Sequence, residues 1–155
     1  MKKIYLILVL LTSLNVMAQN KKNYFIHFTS NPMVNPSAAI MSINAASEAL
    51  KQGHSVIYFA AGDGVRILLK DVIKNLHTVT AHGGRFGKIS QMAENLFLEF
   101  SNRGGIIHVS EGSFATYGIN QDNHKEHLIE VSKIFWSYPK QLIQESSKAD
   151  IVFSY

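Results

Sequence analysis

Six small or polar side chains in this 155-residue sequence follow predicted strands, at the points where those strands end. They are Thr29 and Asn31 after the first strand, Asp63 after the second, and Ser110, Glu111 and Ser113 after the third. In open α/β sheets the ligand-binding crevice lies outside the carboxyl ends of the strands. The sequence therefore predicts a small-ligand site formed by these six residues.

A serine hydrolase is one chemistry that this region could support. Ser110 and Ser113 would be the candidate nucleophiles, with Glu111, His27 or His108 as the candidate base. The sequence around Ser113 lacks the G-x-S-x-G turn of nucleophile elbows, and a serine at a helix start is more often an N-cap. His27 and His108 lie in the middle of strands that could be neighbours, where a buried imidazole with one hydrogen-bond partner is commoner than a general base. A small hydrolase is therefore the alternative function.

The His124-x-x-His127 pair is the local cluster with metal-ligand chemistry, and Glu126 and Glu130 stand close by. Histidines three residues apart share one face of a helix, so the pair suits a divalent metal. The spacing defines no third ligand, and residues 120–125 are polar and turn-like, which favours a solvated loop by about three to one. The sequence therefore predicts no metal site and no cofactor, and a metal-dependent enzyme stays within the alternative.

The elements that must position these residues begin with a βαβ unit. Tyr24 to Phe28 and Ser55 to Ala61 are short apolar runs, typical of buried parallel strands. The helix between them has Asn35 placed as its N-cap, Pro36 at its first position and Gly53 after its last turn. The crossover between the two strands should be right-handed.

The rest of the chain continues the alternation of strands and helices. We expect a helix from Val65 to Leu76, a loop from His77 to Gly87 with a possible short strand at residues 78–80, and a helix from Lys88 to Asn102 whose apolar face includes Met92. Further elements are a strand from Ile106 to Val109, a short helix or turn from Glu111 to Tyr117, a strand from Leu128 to Trp136, a helix from Pro139 to Ala149 with Leu142 and Ile143 inward, and a strand from Asp150 to Phe153. This order predicts a three-layer α/β/α fold with a four- to five-stranded, mostly parallel sheet.

The first 18 residues have the layout of a secretory signal peptide. Lys2 and Lys3 form a positive region, Ile4 to Leu14 is apolar, and small residues precede a cleavage point after Ala18. The apolar run is shorter than the roughly 20 residues that a membrane span needs. We therefore expect residues 1–18 to be removed, residues 19–155 to form a single domain, and the protein to be secreted or periplasmic.

Composition excludes several classes of function. Without Lys2 and Lys3, the 15 basic residues become 13 against 11 acidic ones, a net charge of +2. The basic residues are scattered, so nucleic-acid binding is not expected. The chain has no cysteine, which excludes disulfides and thiol chemistry.

Three segments together resemble the DsrE/DsrF-like family of sulfur-relay proteins, which has the YchN-like fold. They are the Gly-His-strand-Gly-Asp-Gly-Val pattern within Ala45 to Val65, the segment RGGIIHVSEGSFATYGI from Arg103 to Ile119, and the closing segment from Ala149 to Phe153. The resemblance implies a three-layer α/β fold and assembly into trimers or hexamers. It also implies that many relatives carry persulfide on a cysteine just after the strand from Ile106 to Val109.

Ser110 occupies the position that corresponds to the relay cysteine. A hydroxyl has neither the low pKa nor the polarisable sulfur needed to hold sulfane sulfur. The resemblance therefore implies an exported, non-catalytic binding or accessory subunit, assembled with itself or with a related subunit and able to bind a small molecule. The aromatic residues Phe114, Tyr117, Trp136 and Tyr138 are expected near exposed segments and favour a homo-oligomer.

Overall fold

Five parallel strands form the single sheet of the computed structural model, which describes residues 21–76 and 88–155. The strands are β1 (Asn23–Phe28), β2 (Ser55–Ala60), β3 (Ile106–Ser110), β4 (Ile134–Ser137) and β5 (Ile151–Ser154), in the order β4-β3-β2-β1-β5. The predicted signal peptide and the predicted loop at 77–87 with its short strand lie outside the described residues. The three-layer parallel α/β prediction is confirmed.

Six α-helices and one 3-10 helix connect the described strands. They are α1 (Pro36–Lys51), the 3-10 helix Gly62–Leu68, α2 (Lys70–Ile73), α3 (Lys88–Asn102), α4 (Glu111–Ala115), α5 (His124–His127) and α6 (Pro139–Ser146). None of these described helices is both long enough and apolar enough to cross a membrane.

The boundaries of α1 follow from local chemistry, as the sequence predicts. The Asn35 side chain accepts a hydrogen bond from the Ala38 N–H at 3.1 Å, and Pro36 begins the helix. Gly53 follows the helix with φ +86°, a left-handed conformation that side chains disfavour. The first crossover of the sheet is therefore fixed at both ends.

The main core lies between one face of the sheet and helices α1 and α3. Phe97 of α3 meets Tyr58 of β2 edge-on, with ring centroids 4.8 Å apart, and both side chains are fully buried. The Tyr58 hydroxyl is 2.8 Å from Ser42 Oγ of α1, which satisfies both buried polar groups. We call this side of the sheet the first face.

Helix α6 lies on the opposite side, the second face, because the β4-to-β5 connection runs across the sheet in the direction opposite to the earlier connections. Right-handed crossovers in opposite directions place their helices on opposite faces. Glu145 of α6 acts electrostatically on His108, a second-face residue of β3. One second-face row is apolar and runs Val152, Phe25, Ile57, Ile106 across four strands. The next row runs Ser154, His27, Phe59, His108, Phe135 across all five. Helix α6 packs against β4 at one edge of this face.

The predicted helix from Val65 to Leu76 is wrong as a continuous element. Leu69 has ψ 132°, an extended conformation that separates the 3-10 helix from α2. Leu69 instead pairs with Leu128 in an isolated antiparallel bridge. The apolar residues on both sides of Leu69 are buried, so the hydrophobic repeat in the sequence continues through the break and does not indicate it.

The predicted strand from Leu128 to Trp136 is also too long, since only Ile134–Ser137 joins the sheet. Leu128 and Ile129 are buried against the 3-10 segment, and the Ile129 N–H donates to the Leu68 carbonyl at 2.9 Å. Their apolar character therefore reflects packing beneath the first face.

Three predicted orientations are wrong. Met92 and Ile143 were expected inward, but they are 66% and 67% exposed. Phe114 was expected near an exposed segment, yet it is fully buried against Trp136, with ring centroids 5.5 Å apart.

Candidate functional site

Asp63 is the centre of a hydrogen-bonded cluster at the carboxyl ends of β1, β2 and β3. Its Oδ1 accepts from the Tyr117 hydroxyl at 2.7 Å, and its Oδ2 accepts from Asn31 Nδ2 at 3.3 Å. The Tyr117 hydrogen bond is the main cause of a lowered pKa at Asp63, and the same bond raises the pKa of Tyr117. The Arg66 guanidinium lies over the Tyr117 ring, 5.9 Å from its centroid. Three segments that follow different strands are therefore held together around one carboxylate.

Gly64 permits the close approach of the β1 and β2 ends. Its N–H donates to the Thr29 carbonyl at 3.1 Å. A Cβ at this position would overlap the Phe28 carbonyl oxygen and lie 2.8 Å from its carbon. Only glycine fits this contact without moving backbone.

Ser110 ends β3 and caps α4, and its Oγ accepts two hydrogen bonds from Ser113. The donors are the Ser113 N–H at 3.3 Å and the Ser113 hydroxyl at 2.9 Å. Ser113 Oγ in turn accepts from the Gly62 N–H at 2.9 Å, which ties β3 to the end of β2. Within residues 21–76 and 88–155, no imidazole is hydrogen-bonded to Ser110. The arrangement suits an N-cap and lacks the base that a serine nucleophile needs.

Glu111 forms a second carboxylate cluster beside Ser110. Its Oε2 accepts from Gln121 Nε2 at 3.2 Å, and its carboxylate accepts from the Tyr138 hydroxyl. That hydrogen bond is the main cause of the raised pKa of Tyr138. Asp63 and Glu111 are therefore each bound by one tyrosine and one carboxamide.

Tyr117 and Tyr138 join the site, although the sequence marked them only as surface aromatics. The carboxylate partner of Tyr117 is Asp63, 54 residues away, and the partner of Tyr138 is Glu111 at the start of α4. The position of each tyrosine soon after a strand end was the available signal. Pairing with a particular carboxylate depends on the sheet order, which the sequence did not specify.

The Thr29 side chain takes part in neither carboxylate cluster. Its N–H and its hydroxyl donate to the Tyr155 carbonyl at 3.0 and 3.3 Å. This contact joins the ends of β1 and β5, where the strand order reverses. Of the six predicted site residues, the structure thus links Asn31 with Asp63 and Ser110 with Ser113, while Glu111 has its own partners.

His108 is held rigidly in the second face. Its Nδ1 is 2.8 Å from Ser137 Oγ, and that hydroxyl donates to the Phe135 carbonyl at 3.2 Å, so Nδ1 must be the donor. The imidazole stacks between Phe59 and Phe135, with ring centroids 5.7 and 5.0 Å away. His108 therefore behaves as a structural residue with one partner, as expected.

His27 differs from its predicted state in two ways. Strand β2 separates it from His108, so the two histidines are not on neighbouring strands. Its Nε2 is buried and has no hydrogen-bond partner among the described residues. The ring instead meets the edge of Phe59, with centroids 6.1 Å apart. Neither His27 nor His108 is hydrogen-bonded to Ser110, whose Oγ accepts from Ser113.

We expect the free energy of unfolding to fall as the pH falls below about 6.5. Burial lowers the pKa of His27 and is the main cause of the lowered pKa of His108. As the pH falls, the histidines of the unfolded chain are therefore protonated before those of the folded protein. The stability that comes from keeping the two imidazoles neutral is complete above the unfolded pKa and is lost as the pH falls toward the folded pKa values. Urea unfolding between about pH 7.5 and 5.5 measures this slope. His27→Phe should flatten it, and a stability that rises on acidification would contradict the account.

The histidine pair of α5 does not form a metal centre with the described residues. His124 and His127 lie in one four-residue helix, and His124 Nδ1 is 2.7 Å from the Gln121 carbonyl. No group of three or more potential ligands occurs within residues 21–76 and 88–155.

The protein is an α/β protein with a parallel five-stranded sheet and a cluster of polar residues at the strand ends, and solved structures with a similar fold are known. The structure is similar to that of the ychN protein from E. coli, with a TM-score of 0.59, 14% identity, and coverage of 87% of this chain and 99% of that one. It also matches a conserved Bacteroides thetaiotaomicron protein of unknown function at 14% identity and a TM-score of 0.48, covering 90% of this chain and 98% of that one. No match was found among curated protein sequences.

The chain belongs to the DsrE/DsrF-like family, whose model matches residues 22–155. The resemblance inferred from the sequence is therefore confirmed. The chain is related to sulfur-relay proteins but contains no cysteine.

Proposed function

We propose that this protein is an exported, non-catalytic member of the DsrE/DsrF-like family that acts as an oligomeric binding or accessory subunit. The observation that carries the proposal is Ser110, the last residue of β3, whose Oγ accepts hydrogen bonds from Ser113. A serine there cannot form the thiolate on which sulfur transfer depends. The family fold is retained, while the group that would carry sulfur is not.

The binding role is supported by the groups that converge at the strand ends. Asn31, Asp63 and Tyr117 form one cluster, and Glu111 and Tyr138 form another. Their hydrogen-bonding atoms lie at exposed positions, where a small polar molecule can reach them. Ser110 and Ser113 flank Glu111 in the chain and add hydroxyl groups.

Assembly is supported by apolar side chains left uncovered on the second face. Val152 of β5 is 52% exposed, and Ile143 of α6 is 67% exposed. Ile106 lies in the same apolar row as Val152, at its other end. Contact with a second copy, or with a related subunit, would remove this apolar surface from water.

Replacing Ile143 with lysine is expected to weaken assembly by about tenfold or more, because a charge would enter an apolar contact. Fold stability should change little, since the side chain is exposed in the protomer. Light scattering over a micromolar concentration series gives the measurement. Met92→Lys is the matched control, because Met92 is equally exposed but lies on α3, on the other side of the sheet. A monomeric wild-type protein, or equal loss of assembly in both variants, would contradict the proposal.

Export is proposed from the signal-peptide layout of residues 1–18. The assembly measurement should therefore use protein that begins at Gln19. Amino-terminal sequencing of the exported protein checks that start, and a retained Met1 would refute cleavage.

A further inference from the structure

A cavity of about 480 Å³ lies beside the edge strand β4, away from the Asp63 cluster. Its lining includes His124, Lys125, Leu128, Glu130, Ile134 and Trp136. The volume is within the range of about 300–1,000 Å³ that is typical of small-ligand sites. None of the six predicted strand-end residues lines this cavity.

The segments that form the walls of the cavity are held in place by the sheet and by hydrogen bonds. Ile134 and Trp136 are alternate residues of β4, so both point toward the first face. The facing segment is held by the Ser132 N–H, which donates to Ser101 Oγ at 2.8 Å. Lys70 Nζ donates to the carbonyls of Lys125 and Glu126 at 2.8 and 3.1 Å. The cavity is therefore formed without a ligand.

Polar groups on the wall are left without partners. The Trp136 indole N–H and the Lys125 ammonium have no hydrogen-bond or ion-pair partner among the described residues. His124 commits Nδ1 to the Gln121 carbonyl at 2.7 Å, which leaves Nε2 free for another contact. The His124 ring stands edge-on to Trp136, with centroids 5.6 Å apart. These groups lie among apolar side chains, the usual composition of a small-molecule site.

We propose that this cavity binds a small organic acid with a flat apolar body. Lys125 supplies an ammonium group at the wall and His124 supplies a ring Nε2, and both can donate to the acid group of the ligand. The Lys133 ammonium is occupied over the Phe135 ring, 4.3 Å from the centroid, which leaves Lys125 as the cation for the ligand. The indole of Trp136, with Leu128 and Ile134, offers an apolar surface for the flat body. This site is independent of the function proposed above.

The test uses 1-anilinonaphthalene-8-sulfonate, a flat apolar anion whose emission rises when water is excluded. Trp136 is the single tryptophan of the chain, so its fluorescence reports directly on this cavity. We expect saturable quenching of Trp136 with energy transfer to the probe. Lys125→Glu should weaken binding by about five- to tenfold, because it replaces the pairing cation with a repelling charge. Lys51→Glu makes the same charge change at the far end of α1 and should leave the affinity within about twofold.

Uncharged 1-anilinonaphthalene separates the apolar contribution from the charge contribution. It should bind more weakly than the sulfonate to the wild-type protein and should respond little to Lys125→Glu. The proposal is overturned if the sulfonate binds without changing Trp136 emission, if Lys125→Glu and the wild type bind it equally, or if no saturable response occurs.

Discussion

Replacing Gly64 with alanine is expected to lower the free energy of unfolding by about 3 kcal/mol or more. The added Cβ would overlap the Phe28 carbonyl oxygen and approach Thr29 Cα to 3.0 Å. These are backbone atoms at the carboxyl end of the central part of the sheet, so rotation of a side chain cannot relieve the contact. The Gly64 N–H bond to Thr29 would also be displaced, and with it the neighbouring position of Asp63.

Gly112→Ala is the matched control for this prediction. Gly112 lies in α4, and a Cβ there meets no atom within 4 Å. Alanine in a helix is more favourable than glycine by about 0.5–1 kcal/mol, so this variant should be neutral or more stable. Urea unfolding at one protein concentration compares the two variants. A Gly64→Ala protein within about 1 kcal/mol of the wild type would show that the strand ends are not packed as described.

Replacing Phe97 with alanine is expected to cost about 3–5 kcal/mol of unfolding free energy. The side chain is fully buried, meets Tyr58 edge-on, and stacks on Phe100 with ring centroids 6.2 Å apart. Its removal leaves a cavity between α3 and the first face, where several aromatic rings pack against one another. The neighbouring rings cannot all move to fill that space.

Met92→Ala tests whether the loss is specific to the buried face of α3. Met92 is on the same helix but largely exposed, so its truncation should change the free energy of unfolding by less than about 0.5 kcal/mol. Chemical denaturation of both variants gives the comparison. Equal losses would mean that α3 packs on a different face, whereas a large difference supports the first-face core.

Local signals explain which parts of the fold were predictable. Asn35, Pro36 and Gly53 mark the ends of α1 through interactions within a few residues, so its boundaries needed no knowledge of the tertiary structure. The alternation of strands and helices made the carboxyl edge of the sheet the place to inspect, so Asn31 and Asp63 were both among the six predicted site residues. Their direct hydrogen bond is a finding of the structure.

Errors arose where apolar spacing did not determine secondary structure. Leu69 pairs with Leu128, which is 59 positions later in the chain. This contact interrupts the predicted helix from Val65 to Leu76 and keeps the start of the predicted strand from Leu128 to Trp136 out of the sheet. Burial favours apolar residues in a 3-10 helix or an extended segment as much as in a regular element. The carboxylate partners of Tyr117 and Tyr138 likewise depend on how loops meet in the fold, and no periodicity in the sequence reports that.

The position of Ser110 is the centre of the functional account, and restoring a thiol there tests it. In Ser110→Cys, the thiol would lie beside the Ser113 N–H and hydroxyl, the donors that now reach Ser110 Oγ. Donors of this kind stabilise a thiolate, so the thiol pKa should fall below the unperturbed value of about 8.5. The thiolate can then attack the outer sulfur of a persulfide donor, releasing the donor thiolate and leaving a persulfide on the protein.

The decisive measurement is the intact mass of the wild type, Ser110→Cys and Ser113→Cys after incubation with a persulfide donor. The account predicts that Ser110→Cys gains one sulfur atom fastest, that Ser113→Cys gains it slowly, and that the wild type gains none. Sulfur bound stably to the wild type, or transferred to Ser113→Cys in preference to Ser110→Cys, would contradict the assignment of Ser110 as the counterpart of the relay cysteine.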